Sequence, residues 1–149
     1  MVAAEHTVTV RRSPGDVYAF LADGLNNARW RSSVRSVSLA SGAPGEVGAV
    51  YAQRLAGPGG REIDGDYEIT EARPGEVLRF RVIAGPARPQ GLFLLVPADD
   101  GATRVSFGLT FEPAGVMKLL GGLIHRTMED EVHELDRLKA ILEGEAPAG

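Results

Sequence analysis

The stretch GATRVSFGLTFEPAGVMKLLGGLIHRTMEDEVHELDRLKAILE, residues 101–143, changes its hydrophobic period once, at Pro113. Before the proline, Val105, Phe107, Leu109 and Phe111 recur at every second position, with Arg104 and Ser106 between them, as in a strand buried on one face only. After it, Val116, Leu120, Ile124, Met128, Leu135, Leu138 and Leu142 fall along one stripe of a helix predicted to run to about Glu143. At 1.5 Å per residue such a helix is roughly 45 Å long, enough to cross a whole sheet. A one-sided sheet needs a cover, and this helix is predicted to be it. Gly121-Gly122 interrupts the pattern at a cost of roughly 1 kcal/mol each relative to alanine. The preferred reading is close packing or a tolerated weak point; the other is a bend that opens a gap between helix and sheet.

Upstream, short runs punctuated by glycine and proline read as strands near 34–40, 49–56, 62–72, 76–84, 90–97 and 102–112, with connections short enough for an antiparallel meander. Ile63, Tyr67 and Ile69 share one face, and Leu78, Phe80 and Val82 another. Glu62, Asp64, Asp66, Glu68, Arg79 and Arg81 alternate with them toward water. Thr7 to Val10 alternates like an opening strand. Ser13-Pro14 then offers an N-cap and a first-position proline to a helix of about ten residues carrying Val17, Phe20 and Leu21, which ends at Asp23-Gly24. Leu25 to Arg31 has room for another turn or two.

The chain has 149 residues, no cysteine and a formal charge of −4, with only Lys118 and Lys139 beside its arginines. That is the length of one ordinary domain, 1–149, with its core at 7–143 and a loose tail at 144–149. Absence of cysteine excludes disulfides, thiolate metal sites and thiol nucleophiles. The charge offers no basic excess to neutralise phosphates, which argues against nucleic acid. Residues 1–10 do not read as a signal peptide, and no apolar run approaches the roughly 18 residues of a spanning helix, so a cytoplasmic protein without a membrane span is expected. Gly57-Pro58-Gly59-Gly60 reads as a hairpin turn, since it lacks the Lys-Ser/Thr ending of a phosphate loop.

The order strand, small helix pair, six strands and long helix, β-α-α-β6-α, resembles the helix-grip fold of the START-like, polyketide cyclase/dehydrase superfamily. TVTVRRSPGDVYAFL from Thr7 is similar to that family's opening strand, turn and helix. Trp30 stands where its members commonly place a tryptophan before the second strand. YEITEARPGEVLRFRV from Tyr67 resembles its proline-turn hairpin, and GATRVSFGLTF and ELDRLKAILE resemble its last strand and helix end. The resemblance covers Thr7 to Glu143 and rests on motifs that specify a fold rather than a chemistry. It implies an α+β fold in which a seven-stranded curved antiparallel sheet wraps a long C-terminal helix. It further implies an apolar cavity between them for a lipid, polyketide or aromatic small molecule. Ala49, Ala52, Gly65 and Gly108 are small residues that would leave volume there; a filled core is the competing account.

The expected lining of that cavity is Trp30, Tyr67, Phe80, Phe107, Leu109, Met117, Leu120, Ile124 and Met128. Tyr67 carries a hydroxyl to the concave face, where it orients a ligand or finds a backbone carbonyl. Glu131 falls at the centre of the helix's apolar stripe, so its carboxylate needs a partner: an arginine, a wet cavity or an acid/base role. Trp30, between Arg29 and Arg31, walls a pocket mouth or anchors the small helices. His125, Glu129 and His133 have a spacing that offers ligands to a metal, yet Glu129 and His133 lie away from the apolar stripe, and a solvated face is expected. His6 at a strand start reads as edge-exposed or hydrogen-bonded. No cofactor or metal is implied.

Three functions follow as expectations. The first is binding of a hydrophobic small molecule by a monomer or homodimer. The second is an enzyme of the cyclase, aromatase or dehydratase kind, without metal or covalent nucleophile, using Tyr67 and Glu131. The third is a protein-interaction module of the co-chaperone kind, acting through an exposed apolar patch.

Overall fold

Residues 1–144 are described by the computed structural model; the tail expected to be loose falls, beyond Gly144, outside the described residues. Strand β1 (Val2–Val10) leads into helix α1 (Pro14–Ala22) through the cap its sequence announces. Ser13 Oγ accepts the Asp16 N–H at 3.1 Å, and Pro14 occupies a position whose N–H has no helical partner. A 3-10 turn (Gly24–Asn26) and the short helix α2 (Asn27–Trp30) follow. Strands β2 (Val34–Ser41), β3 (Val50–Ala56), β4 (Glu62–Asp64), β5 (Tyr67–Arg73), β6 (Val77–Val82), β7 (Gln90–Pro97) and β8 (Thr103–Phe111) then form one antiparallel sheet. Its order is β1-β8-β7-β6-β5-β3-β2, with β4 beside β3. Strand β3 pairs with both β4 and β5, and β1 returns to pair with β8 from Val2↔Phe111 to Val10↔Thr103.

The strand expected at 62–72 is two strands, which makes eight in all. Gly65 and Asp66 carry the chain between them: Gly65 N–H donates to Gln53 O, while Asp66 Oδ1 accepts the Gln53 N–H at 3.1 Å, a place a ladder carbonyl would otherwise take. The small residues expected to leave volume do not. A Cβ on Gly65 would lie 2.5 Å from Leu55 Cδ1, so a side chain already fills that space. Ala49 is itself packed within the core. Ala52 and Gly108 alternate with the inward residues and so belong to the outer face.

The single helix expected after Pro113 is a 3-10 segment (Gly115–Leu120), helix α3 (Gly121–His133) and helix α4 (Leu135–Gly144). At Glu134 the ladder tightens, its N–H bonding to Glu131 O in the i→i+3 manner. Met128, Val132, Leu135, Leu138 and Leu142 are buried, but Val116 and Leu120 are exposed and Ile124 is half-buried. The reason is geometric. Val116 and Leu120 lie in the 3-10 segment, where four residues overshoot a turn by about 120°, and in α3 a four-residue step still drifts by about 40°, so the row reaches the core only at Met128. Close packing does not explain Gly121-Gly122, since a Cβ at either would meet nothing within 4 Å.

The last two helices run along β1. His6 Nε2 lies 2.9 Å from Asp136 Oδ1 and its ring stacks on that of His133. Lys139 Nζ donates to Thr9 O, Arg11 N–H to Glu143 Oε2 at 2.9 Å, and Arg12 Nη1 to Leu142 O at 3.0 Å. The concave face opposite β5, β6 and β7 is covered instead by α1 and α2.

Candidate functional site

Inward alternation on β3, β5, β6, β7 and β8 brings Tyr51, Gln53, Tyr67, Ile69, Phe80, Phe93 and Phe107 onto one face, all buried. The rings form a continuous cluster. Tyr51 stacks on Tyr67 with centroids 5.3 Å apart, Tyr67 meets Phe80 edge-on at 5.3 Å, and Phe93 stacks on Phe107 at 4.4 Å. Phe80 can lie flat over its cross-strand partner only because that partner is Gly91, where a Cβ would sit 2.1 Å from the ring. Trp30 closes the cluster from α2, edge-on to Phe93 and Phe107.

Polar groups converge on the same place. Gly24 lets the 3-10 turn approach the sheet, for a Cβ there would lie 2.2 Å from Tyr67 Oη. That approach seats Asn27, whose Nδ2 donates to Tyr67 Oη at 2.8 Å and to Gln53 Oε1 at 3.1 Å. Gln53 in turn donates to Gly65 O, so no amide of the trio is stranded. Arg31 Nε and Nη2 both donate to Glu131 Oε2, at 3.0 and 2.9 Å, which ties α2 to α3. Burial pushes the Tyr67 phenol well above its ordinary range, against the weaker opposite pulls of the Asn27 hydrogen bond and the Arg31 charge. Among the described residues nothing accepts the phenol's proton, and the buried Trp30 Nε1 has no partner at all.

Between these groups lies a hollow walled by Leu21, Ile69, Leu78, Phe80 and Phe93, with Asn27, Arg31 and Tyr67 presenting its polar atoms. Its volume is about 10 Å³, the threshold for one water molecule. It sits under α1 and α2, whereas a cavity was expected under the C-terminal helix. Of the expected lining residues, Tyr67 and Phe80 border it. Trp30, Phe107, Leu109 and Met128 are buried in the surrounding core, Met117 and Ile124 are half-buried, and Leu120 is exposed. Glu131 meets the guanidinium its place on the helix called for, and is not among the residues that border the hollow. Asn27, Gln53 and Phe93 escaped the sequence reading. Phe93 was accessible to it, since it alternates with Leu95 on β7, but only the packing of the Gly24 turn and α2 against the sheet brings Asn27 to Gln53.

Among the described residues no cluster of His, Asp and Glu could hold a metal ion, and no helix is long and apolar enough to cross a membrane. His125, Glu129 and His133 lie along the side of α3 away from the core, His133 Nδ1 bonding to Glu129 O at 2.8 Å.

In overall shape the chain is similar to TTHA0849 from Thermus thermophilus, with a TM-score of 0.80, 18% identity, and 97% of this chain and 99% of that one covered. A START superfamily protein from Mycobacterium smegmatis superposes with a TM-score of 0.72 at 13% identity, over 94% and 98% of the two chains. The di-domain ARO/CYC BexL of the BE-7585A biosynthetic pathway gives 0.79 at 18% identity, covering 99% of this chain but 48% of that one. At such identities these likenesses speak for the fold. No curated protein matches in sequence. The family model described as polyketide cyclase/dehydrase and lipid transport does match, over residues 1–143, and with the curved sheet, its helical cover and the buried aromatic face in view, the chain belongs to that family.

Proposed function

We propose that this protein binds an apolar small molecule of lipid, polyketide or aromatic type between its sheet and helices, and that the aromatic cluster around the hollow lines that site. The observation that carries the reading is hydrogen-bonding capacity left unused inside an apolar wall: the Tyr67 hydroxyl proton beside the hollow and the Trp30 Nε1–H beyond Phe93. A buried donor without an acceptor costs about 1–3 kcal/mol, which a guest's carbonyl or hydroxyl oxygen would recover. Ligand pockets commonly measure about 300–1,000 Å³, so rings must swing aside and the helical cover must yield for a guest to enter. The family's description, polyketide cyclase/dehydrase and lipid transport, supports a guest of polyketide or lipid type.

Trp30 is the sole tryptophan and reports on the site directly. Titration with 1-anilinonaphthalene-8-sulfonate and with an anthraquinone is expected to quench its emission, and ligand at about 100 times its Kd to add about 2.7 kcal/mol of stability. Native mass spectrometry of protein purified from its own host should show a retained mass. An unchanged melting temperature and emission with both probes, together with an empty native mass, would refute the reading.

A second reading is favoured by the place of the Tyr67 hydroxyl, which accepts from Asn27 beside the hollow and keeps its own proton free. That proton can be donated to a polyketide carbonyl and so assist cyclisation or dehydration, with Glu131 acting through Arg31. Turnover of a poly-β-ketone thioester unaffected by Tyr67→Phe and Glu131→Gln would remove those roles.

A further inference from the structure

The most exposed large apolar side chains of the cover lie together. Val116 is 78% exposed, Leu119 88%, Leu120 45% and Leu123 56%. Val116 and Leu119 are one 3-10 turn apart and Leu120 and Leu123 stand three residues apart across the start of α3, so the four make one exposed ridge, whereas Met128 and Val132 face the core. This segment is therefore apolar on two sides. One side meets the protein; a monomer dissolved in water gains nothing from the other, and a contiguous exposed ridge of this kind marks a docking surface.

Charge decides what docks. From Pro113 to Met128 the chain has no acidic residue, while Lys118 and Arg126 are positive, although the whole protein carries −4. Both cations are exposed, and neither forms an ion pair among the described residues. An apolar ridge flanked by unpaired cations fits the boundary between acyl chains and anionic headgroups. There leucines enter the hydrocarbon margin while lysine and arginine stay with the phosphates. In a symmetric contact, ridge on ridge, a second copy of this chain would supply more cations and none of the acids the segment lacks. Among the described residues no helix is long and apolar enough to span, so the contact is one of lying on the surface.

We propose that Val116, Leu119, Leu120 and Leu123, with Lys118 and Arg126, form a docking surface for an anionic phospholipid bilayer. The surface exists whether or not the interior takes a guest, so its test needs no ligand. Flotation with vesicles of phosphatidylcholine containing about 30% phosphatidylglycerol is compared with flotation on pure phosphatidylcholine. The wild-type chain is expected to float with the anionic vesicles, at least about tenfold more weakly with the neutral ones, and to be released by about 0.5 M NaCl, because each cation's attraction to the surface is screened by salt. Leu119→Glu/Leu123→Glu is expected to reduce partitioning about 100-fold and Lys118→Gln/Arg126→Gln about tenfold. All four side chains being exposed, both variants should keep the wild-type melting temperature and circular dichroism. Absence of wild-type flotation on either vesicle, or flotation unmoved by the leucine pair, overturns the proposal. So does a concentration-dependent dimer, seen by sedimentation velocity, that the leucine pair abolishes.

Discussion

The two halves of the C-terminal helical cover have similar apolar content and opposite fates. From Met128 onward, Met128, Val132, Leu135, Leu138 and Leu142 are buried, and polar ties hold the helix at both flanks: Arg31 to Glu131, Ser32 to Glu134, His6 to Asp136, Arg11 to Glu143. From Gly115 to Leu123 no residue is fully buried and the first turns are 3-10. Hydrophobicity is thus not what docks a helix. A stripe that keeps its angle toward the core, reinforced where polar side chains meet partners on β1 and α2, does so; a stripe that rotates away does not.

The contrast is easiest to break by truncation. Leu138→Ala is expected to cost about 2–5 kcal/mol, measured by urea unfolding, because it opens a void in a packed interior. Leu119→Ala, one helical repeat or more outside the packed zone, should stay within about 0.5 kcal/mol. Equal losses at the two sites would mean that the first half is docked after all.

Cutting the tie between α2 and α3 comes next. Arg31 and Glu131 are each mostly buried, at 10% and 17% side-chain exposure. Glu131→Gln should therefore destabilise by about 1–3 kcal/mol, since it weakens the guanidinium's one strong acceptor. Arg31→Met/Glu131→Met should recover much of the loss, because it removes both charges from a place with little water. A double variant as unstable as the sum of its singles would show that the pair is not coupled.

The weak half can also be strengthened. Gly121→Ala and Gly122→Ala face open space in a helical conformation, and each should add up to about 1 kcal/mol of helix stability, seen as slower amide exchange between Leu120 and Ile124. No change in exchange there would mean that the segment's opening is not limited by its helix propensity.

The smallest effect is at the far end of the strong half. The Lys139 ammonium, and then the Arg11 backbone and side chain, lower the Glu143 carboxyl to about 2 from an ordinary 4.5. A depressed carboxylate contributes its stability above its unfolded value and loses it as pH falls from about 4.5 toward about 2. Glu143→Gln should flatten the acid limb of stability against pH in that window alone, leaving the curve above about pH 5 parallel to wild type.

Most of the fold was legible because its signals are local. Two-residue alternation told which residues of β5, β6 and β8 face inward, and Ser13-Pro14 marked the start of α1. The break at Gly65-Asp66 was not legible, since it depends on Asp66 reaching the Gln53 N–H on the neighbouring strand β3. The candidate site was legible only in part. Tyr67 and Phe80 follow from parity, but Asn27 reaches Tyr67 only because Gly24 permits a close approach that no local pattern encodes.

From residues 101–143 alone, the period switch at Pro113 determined a one-sided sheet with a helical cover, because pleat and helix impose their periods on any buried face. How much of that cover the sheet grips was decided in three dimensions. Burial depends on the angle at which each turn meets β1 and on rings such as Phe80 that occupy the space first, and both are properties of the assembled molecule rather than of spacing along the chain.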